Sequence, residues 1–190
     1  MAKHALTICV DIDGTLTKPF AWLEYTAKIY KKTVTPDMYQ TCYTARALGI
    51  DPLEYNRFYK ANGKTFYYDL CELRPYASKV MDQLNQNHNV HIVTSREKEF
   101  ADVTQQLLTD HQVPGTLHVI ESFDKVTPAK SLGCQLFIED NIEIAESLAQ
   151  AGFPVLLMDC AYNRKPLHQL IRRVSDWEEV EAVVQSMSQE

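Results

Sequence analysis

Two aspartates one residue apart, Asp11 and Asp13, follow directly on an apolar run, Leu6-Thr7-Ile8-Cys9-Val10. Each residue of the run is apolar or β-branched, as a strand buried on both faces requires. A strand of that kind delivers carboxylates to the edge of a core. There, like charges repel and a desolvated carboxylate is costly unless it is paired or bound to a cation. Gly14 then permits a tight turn, and Thr15 and Thr17 add hydroxyls. A divalent cation relieves both the repulsion and the desolvation, and hard oxygen ligands suit Mg²⁺.

Four more runs have the same character: Val90–Thr94, Leu117–Glu121, Gln135–Glu139 and Val155–Met158. Segments with helical periodicity at about 97–110, 125–132 and 141–151 separate them. Regular alternation of strand and helix predicts an α/β fold, a five-stranded parallel sheet between two layers of helices. The last four strands follow one another at crossover spacing, but 84 residues separate the start of the first strand from that of the second. A helix at about 75–87 accounts for one crossover, so roughly 55–60 residues exceed what the sheet needs. The expected division is a catalytic core of residues 1–17 plus 75–190, with a small helical cap inserted at 18–74.

The insert reads as helical. Residues 20–32 carry Phe20, Leu23, Tyr25, Ala27 and Tyr30 among lysines. Thr35-Pro36 has the form of a helix start, as does Asp51-Pro52 with Glu54 at the capping-box position, and Gly49 is placed to end the helix between them. Nine of the ten tyrosines lie between Tyr25 and Tyr76, more than so small an insert can bury within itself. Either most of them pack the insert, or a few stack on a planar ligand. Towards the C-terminus, 166–173 reads as a short helical stretch ending in Arg172 and Arg173. Ser175 to Glu178 reads as a capping box opening a last helix at about 176–187.

Ligands of an open parallel sheet bind beyond the carboxyl ends of its strands. Asp11 and Asp13 stand there after the first strand, Thr94-Ser95-Arg96 after the second and Glu121 to Lys125 after the third. Glu139-Asp140-Asn141 follow the fourth, and Asp159 with Tyr162-Asn163-Arg164 the fifth. Acids, hydroxyls and a lysine thus converge on one edge.

This pattern resembles the haloacid dehalogenase (HAD) superfamily of phosphohydrolases over nearly the whole chain. The motifs that carry the resemblance are Asp11-Ile12-Asp13-Gly14-Thr15, then Thr94, a lysine opening the helix before the fourth strand, and Glu139-Asp140. The resemblance implies that Asp11 is the nucleophile, forming an aspartyl-phosphate. It makes Asp13 the general acid and then the base. Thr94 and Lys125 would hold the phosphate. Mg²⁺ would sit on Asp11, the backbone carbonyl of Asp13, and Asp140. Thr15, Ser95, Arg96, Phe20 and Trp22 are the residues placed to meet substrate. Lys125 stands where the helix begins, whereas Lys130 lies two turns along it and reads as solvated. Glu139 is left between a water-mediated ligand and a hydrogen bond to its own loop. Arg96 and Arg164 are either contacts for an anion or surface salt bridges.

The size and aromatic content of the insert, together with Val93-Thr94-Ser95-Arg96 and Ile138-Glu139-Asp140-Asn141, is similar to the 5′(3′)-deoxyribonucleotidase branch and its bacterial nucleotidase relatives. The chain departs from that branch in Leu16-Thr17, where Val-Leu is usual, and in Glu139, where an aspartate is usual. The resemblance implies a nucleoside monophosphate as substrate. A sugar phosphate is the rival, and a binding protein on the same fold the reading from another class. A calcium loop fails because Leu16 and Trp22 occupy ligand positions.

Composition excludes other classes. A formal net charge of −6 without a basic stripe argues against a nucleic-acid polymer as partner. No stretch has the apolar length of a membrane span or the character of a signal peptide. The five cysteines, at 9, 42, 71, 134 and 160, contain no Cys-x-x-Cys pair and read as reduced thiols of a cytoplasmic protein, with Cys9 and Cys134 as small core residues. The six histidines show no metal-ligand spacing, and His91 and His118 read as strand residues. Monomer and homodimer both remain open.

Overall fold

The computed structural model of the chain describes residues 4–189; Met1, Ala2 and Lys3 of the N-terminal run lie outside the described residues. Its sheet has six strands: β1 (Thr7–Val10), β2 (Asn89–Thr94), β3 (Thr116–Val119), β4 (Leu136–Glu139), β5 (Val155–Met158) and β6 (Ile171–Val174). Their order is β3-β2-β1-β4-β5-β6, and every neighbouring pair is parallel. The chain runs outward from β1 through β2 to β3, then crosses to the other side of β1 to begin β4. The crevice beyond the ends of β1 and β4 is therefore the point where the strand order reverses.

Side chains alternate across β1, and this alternation builds two cores. Ile8 and Val10 face one layer with Val80, Met81, Leu107, Trp177 and Val180. These come from α4 (Ala77–Asn87), α5 (Ala101–Asp110) and α8 (Trp177–Met187). Cys9 faces the other layer with Ala129, Ile144, Ala145 and Leu148, which come from α6 (Val126–Ser131) and α7 (Ile142–Gln150). The three-layer α/β architecture is as the sequence predicts.

The sixth strand corrects the expected five. Ile171 to Val174 pairs in register with Val155 to Met158, where a helical stretch was expected. Leu167, Leu170, Ile171 and Val174 carry a helix-like spacing. As an edge strand, β6 buries only Ile171 and Val174 and leaves Arg172 exposed, so no apolar run marks it. The cap of α8 is also one residue later than the sequence suggests. Asp176 accepts from Glu179 N at 2.8 Å, while Ser175 bonds the Glu179 carboxylate. β3 ends before Glu121, whose φ of 53° is left-handed. His91 and His118 sit on neighbouring strands with ring nitrogens 3.1 Å apart.

The inserted segment holds α1 (Ala21–Ile29), α2 (Thr44–Leu48) and α3 (Pro52–Ala61), a short 3₁₀ turn at Pro36–Gln40 and a π-type turn at Thr65–Asp69. Asp51 caps α3, accepting from Leu53 N and Glu54 N at 3.0 Å, and Gly49 closes α2 at φ 58°. Thr35 bonds Asp37 instead of a backbone amide, which leaves only the 3₁₀ turn where a longer helix was expected. Leu23, Ala27, Leu48 and Ile50 form a small core of their own. The segment departs from and rejoins the rest of the chain at adjacent points. Lys18 N donates to Glu72 O and Arg74 N to Leu16 O, both at 2.8 Å, about a Thr17–Leu73 bridge. Among the described residues no helix is long and apolar enough to cross a membrane.

Candidate active site

Asp11 extends β1 by one residue, its amide donating to Ile138 O at 3.0 Å. The chain then coils on itself: the amides of Thr15, Leu16 and Thr17 all turn back to Ile12 O. Gly14 sits at the crest with φ 90°, and a Cβ there would stand 2.3 Å from Asp140 Oδ2. Only glycine tolerates both the conformation and the approach. The turn thus brings two strand ends, 125 residues apart in sequence, into contact. Thr15 Oγ1 donates to Asp140 Oδ1 at 2.8 Å.

Lys125, immediately before α6, is almost wholly buried. Its ammonium donates to Asp11 Oδ1 at 2.5 Å and to Glu139 Oε2 at 3.1 Å. Burial opposes its charge, but the two carboxylates outweigh burial and hold the lysine protonated. Lys130 is exposed. Glu139 is therefore a partner of the lysine. Asp140 is gripped from its other side by the hydroxyl of Tyr162. Asn163 fixes its backbone, donating to Asp140 O at 2.7 Å and Met158 O at 2.8 Å. Arg173 in turn holds Asn163.

Asp11, Glu139 and Asp140 form a buried cluster whose carboxylate oxygens lie within 4.8 Å of one another. Burial raises the pKa of Asp11 and raises that of Glu139 further. It pushes Asp140 up to about 7, with the charge of Asp11 adding to the effect. With all three ionised, one buried ammonium would face three carboxylates and leave two negative charges uncompensated. A divalent cation matches that deficit, and an all-oxygen donor set fits a hard ion better than zinc. The cluster can hold such an ion.

The remaining predicted residues fall in several places. Thr94 is fully buried at the end of β2, its Oγ1 3.3 Å from Arg96 N, and it lines the cavity. Ser95 turns its hydroxyl to Ser122 O at 2.7 Å. Arg164 forms an exposed pair with Asp159. Arg96 departs from the surface-bridge reading: it is 2% exposed, and its guanidinium takes both oxygens of Asp13, at 2.7 and 2.8 Å. Asp13 is thereby paired outside the cluster of Asp11, Glu139 and Asp140. Phe20, at φ 75°, packs edge-to-face on Tyr39 and Tyr162 beside a small side cavity of about 100 Å³. Trp22 lines the main cavity, its indole N–H donating to Phe66 O at 2.9 Å.

That cavity, about 560 Å³, opens over Asp11 and runs out between the insert and the strand-end loops. Trp22, Tyr55, Asn56, Tyr59 and Tyr67 wall it from the insert, and Phe123, 66% exposed, stands on the side of the core. The aromatics divide into packing rings and cavity rings. Tyr25, Phe58 and Phe66 pack against one another inside the insert, while Trp22, Tyr55 and Tyr59 also reach the cavity. Sequence reasoning did not single out Tyr59, Tyr67 or the role of Tyr162. Nothing in their spacing separates a cavity ring from a packing ring.

Comparison with known proteins places this geometry. Residues 5–189 match the family described as 5′ nucleotidase, deoxy (Pyrimidine), cytosolic type C protein. A nucleotidase of Clostridium acetobutylicum is 38% identical over 180 residues, covering 94% of this chain and 93% of that one. Among solved structures, a Bacillus subtilis protein of the HAD-hydrolase type, crystallised bound to magnesium, superposes with a TM-score of 0.64 at 15% identity. It covers 96% of this chain and 100% of its own. A haloacid dehalogenase-like hydrolase from Xanthomonas campestris gives 0.63 at 14% identity, with coverage of 99% and 98%. At these identities the structural likeness establishes the HAD fold.

Proposed function

The chain belongs to the cytosolic type C 5′ nucleotidase family and is a HAD-type phosphatase, and on that premise we propose that it is a Mg²⁺-dependent phosphomonoesterase acting on nucleoside monophosphates through a phosphoaspartate. One observation carries the reading. Asp11, held by Lys125 at 2.5 Å, stands at the floor of a cavity whose far wall is aromatic. The floor suits a phosphate and the wall a planar base.

In this reading an Asp11 oxygen attacks phosphorus, and the bond to the leaving alcohol oxygen breaks. Asp13 supplies the proton that the alcohol takes. Asp13 then accepts a proton from water as that water attacks phosphorus, which releases inorganic phosphate and restores Asp11. The Lys125 ammonium and the Thr94 hydroxyl bind phosphoryl oxygens. Asp11, the backbone carbonyl of Asp13 and Asp140 would hold Mg²⁺, with Glu139 beside them on Lys125, and the ion would supply electrostatic relief between carboxylate and phosphate. Residues 18–74 act as a cap on a core of 1–17 plus 75–190, closing over the site to exclude water and to read the leaving group.

The test is turnover of nucleoside monophosphates, sugar phosphates and p-nitrophenyl phosphate by purified protein, with Mg²⁺ or EDTA. The expected result is Mg²⁺-dependent hydrolysis abolished in Asp11→Asn, with nucleotides leading in kcat/KM. Higher kcat/KM for sugar phosphates would overturn the substrate class. Activity that survives Asp11→Asn would overturn the mechanism.

A further inference from the structure

Arg96 is heavily engaged beside the site: it borders the main cavity, yet its guanidinium is paired with Asp13 and not with the cluster of Asp11, Glu139 and Asp140. Its Nε and Nη2 donate to the two oxygens of Asp13 at 2.8 and 2.7 Å, a bidentate fork. Nη1 donates to Tyr67 O at 3.0 Å and to Thr104 Oγ1 at 3.2 Å. Nη2 also reaches Cys71 Sγ at 3.2 Å, and the Tyr67 ring lies 4.6 Å from Cζ. The guanidinium is thus fixed to α5 and to the returning end of the insert, and its free edge is presented to Asp13. Side-chain exposure is 1% for Arg96 and 26% for Asp13. The carboxylate consequently meets the arginine on one side and the cavity on the other.

We propose that Arg96 is a positioning residue that holds Asp13 in the pose of a base, ready to accept the proton of the water that hydrolyses the phosphoaspartate. The inference rests on the phosphoaspartate reading above. A guanidinium fork donates to a carboxylate in one plane and leaves each oxygen a lone pair, so it fixes the orientation of the acceptor without filling it. A freely rotating Asp13 would spend little time aimed at the water. A lysine in place of Arg96 could not substitute, because an ammonium cannot hold both oxygens in a plane while also reaching Tyr67 O and Thr104. The anchors on Tyr67 and Cys71 add a consequence. The seating of the insert and the aim of Asp13 depend on the same side chain.

The experiment separates the two chemical steps with p-nitrophenyl phosphate. Its leaving group departs without a proton, so kcat/KM reports attack by Asp11 and kcat reports the later hydrolysis. In Arg96→Met and Arg96→Lys, kcat is expected to fall about 100-fold, the cost typical of a misplaced catalytic group. KM should fall with it, kcat/KM should stay within a few-fold of wild type, and one equivalent of p-nitrophenol should appear as a burst. In an Asp13→Asn background, Arg96→Lys should have no further effect on kcat. A parallel fall of kcat and kcat/KM, no fall at all, or an additive loss with Asp13→Asn would each overturn the proposal. Arg96→Lys keeps the buried charge and answers the question if Arg96→Met does not fold. Failure of the wild-type enzyme to turn over at all would instead count against the phosphatase reading.

Discussion

Replacing Asp140 by asparagine should make the metal-free protein more stable at pH 8, although the same change removes a cation ligand. The reason is the crowding of Asp11, Glu139 and Asp140 around one lysine. Burial and the charge of Asp11 raise the Asp140 pKa from 3.8 to about 7. A raised carboxyl binds its proton more tightly in the folded state. Its contribution is therefore neutral below the unfolded value, grows unfavourable as pH rises from about 4 to 7, and is fully unfavourable above 7. A shift of some three units corresponds to roughly 4 kcal/mol, or a Tm difference of roughly 10 °C for a chain of this size. The asparagine side chain keeps the shape of the aspartate and carries no charge. In EDTA, thermal unfolding of Asp140→Asn should exceed wild type at pH 8 by an amount of this order, with little difference at pH 4. Adding Mg²⁺ should stabilise wild type more at pH 8 than at pH 5.5 and leave Asp140→Asn nearly unmoved. The reasoning fails if Asp140→Asn is the less stable protein in EDTA at pH 8, or if Mg²⁺ stabilises wild type equally at both pH values.

Three further predictions test neighbouring contacts. Gly14→Ala forces a Cβ to within 2.3 Å of Asp140 Oδ2 at a φ of 90°; it should cost about 1–3 kcal/mol in urea unfolding and weaken Mg²⁺ binding measured by calorimetry, and an unchanged affinity would show that the Gly14 turn does not place Asp140. Tyr162→Phe removes the hydroxyl that donates to Asp140, so Mg²⁺ affinity should fall about tenfold while kcat at saturating Mg²⁺ changes little. Trp22→Ala should raise KM for nucleoside monophosphates more than for p-nitrophenyl phosphate, whereas Phe20→Ala, whose ring packs on Tyr39 and Tyr162, should not discriminate between them.

Much of the fold is legible along the chain because its signals are local. The apolar run before Asp11 marks the first strand, Asp51 marks the start of α3, and alternating periodicity marks a parallel sheet with helices on both faces. β6 was not legible. An edge strand buries few side chains, so Ile171 and Val174 with two arginines between them carry no strand signature. The aromatic insert was legible as an insert, but which of its rings pack and which line the cavity was not. Tyr25 and Tyr59 are alike in sequence and differ only in what their helices face.

The sequence alone determined that carboxylates, a hydroxyl and a lysine would stand at the ends of consecutive strands, since each is written within a few residues of its strand. Only the tertiary structure decided how they pair. Asp13 and Arg96 are 83 residues apart, Asp11 and Lys125 114. Their meeting depends on β1 lying between β2 and β4, an order set by burial over the whole sheet. The same packing gave Thr15 and Tyr162 to Asp140 and made one lysine serve two acids. Short-range chemistry chooses which residues are available; the close packing of the fold selects which charges must share a partner, because in a water-poor interior a charge left without one is costly.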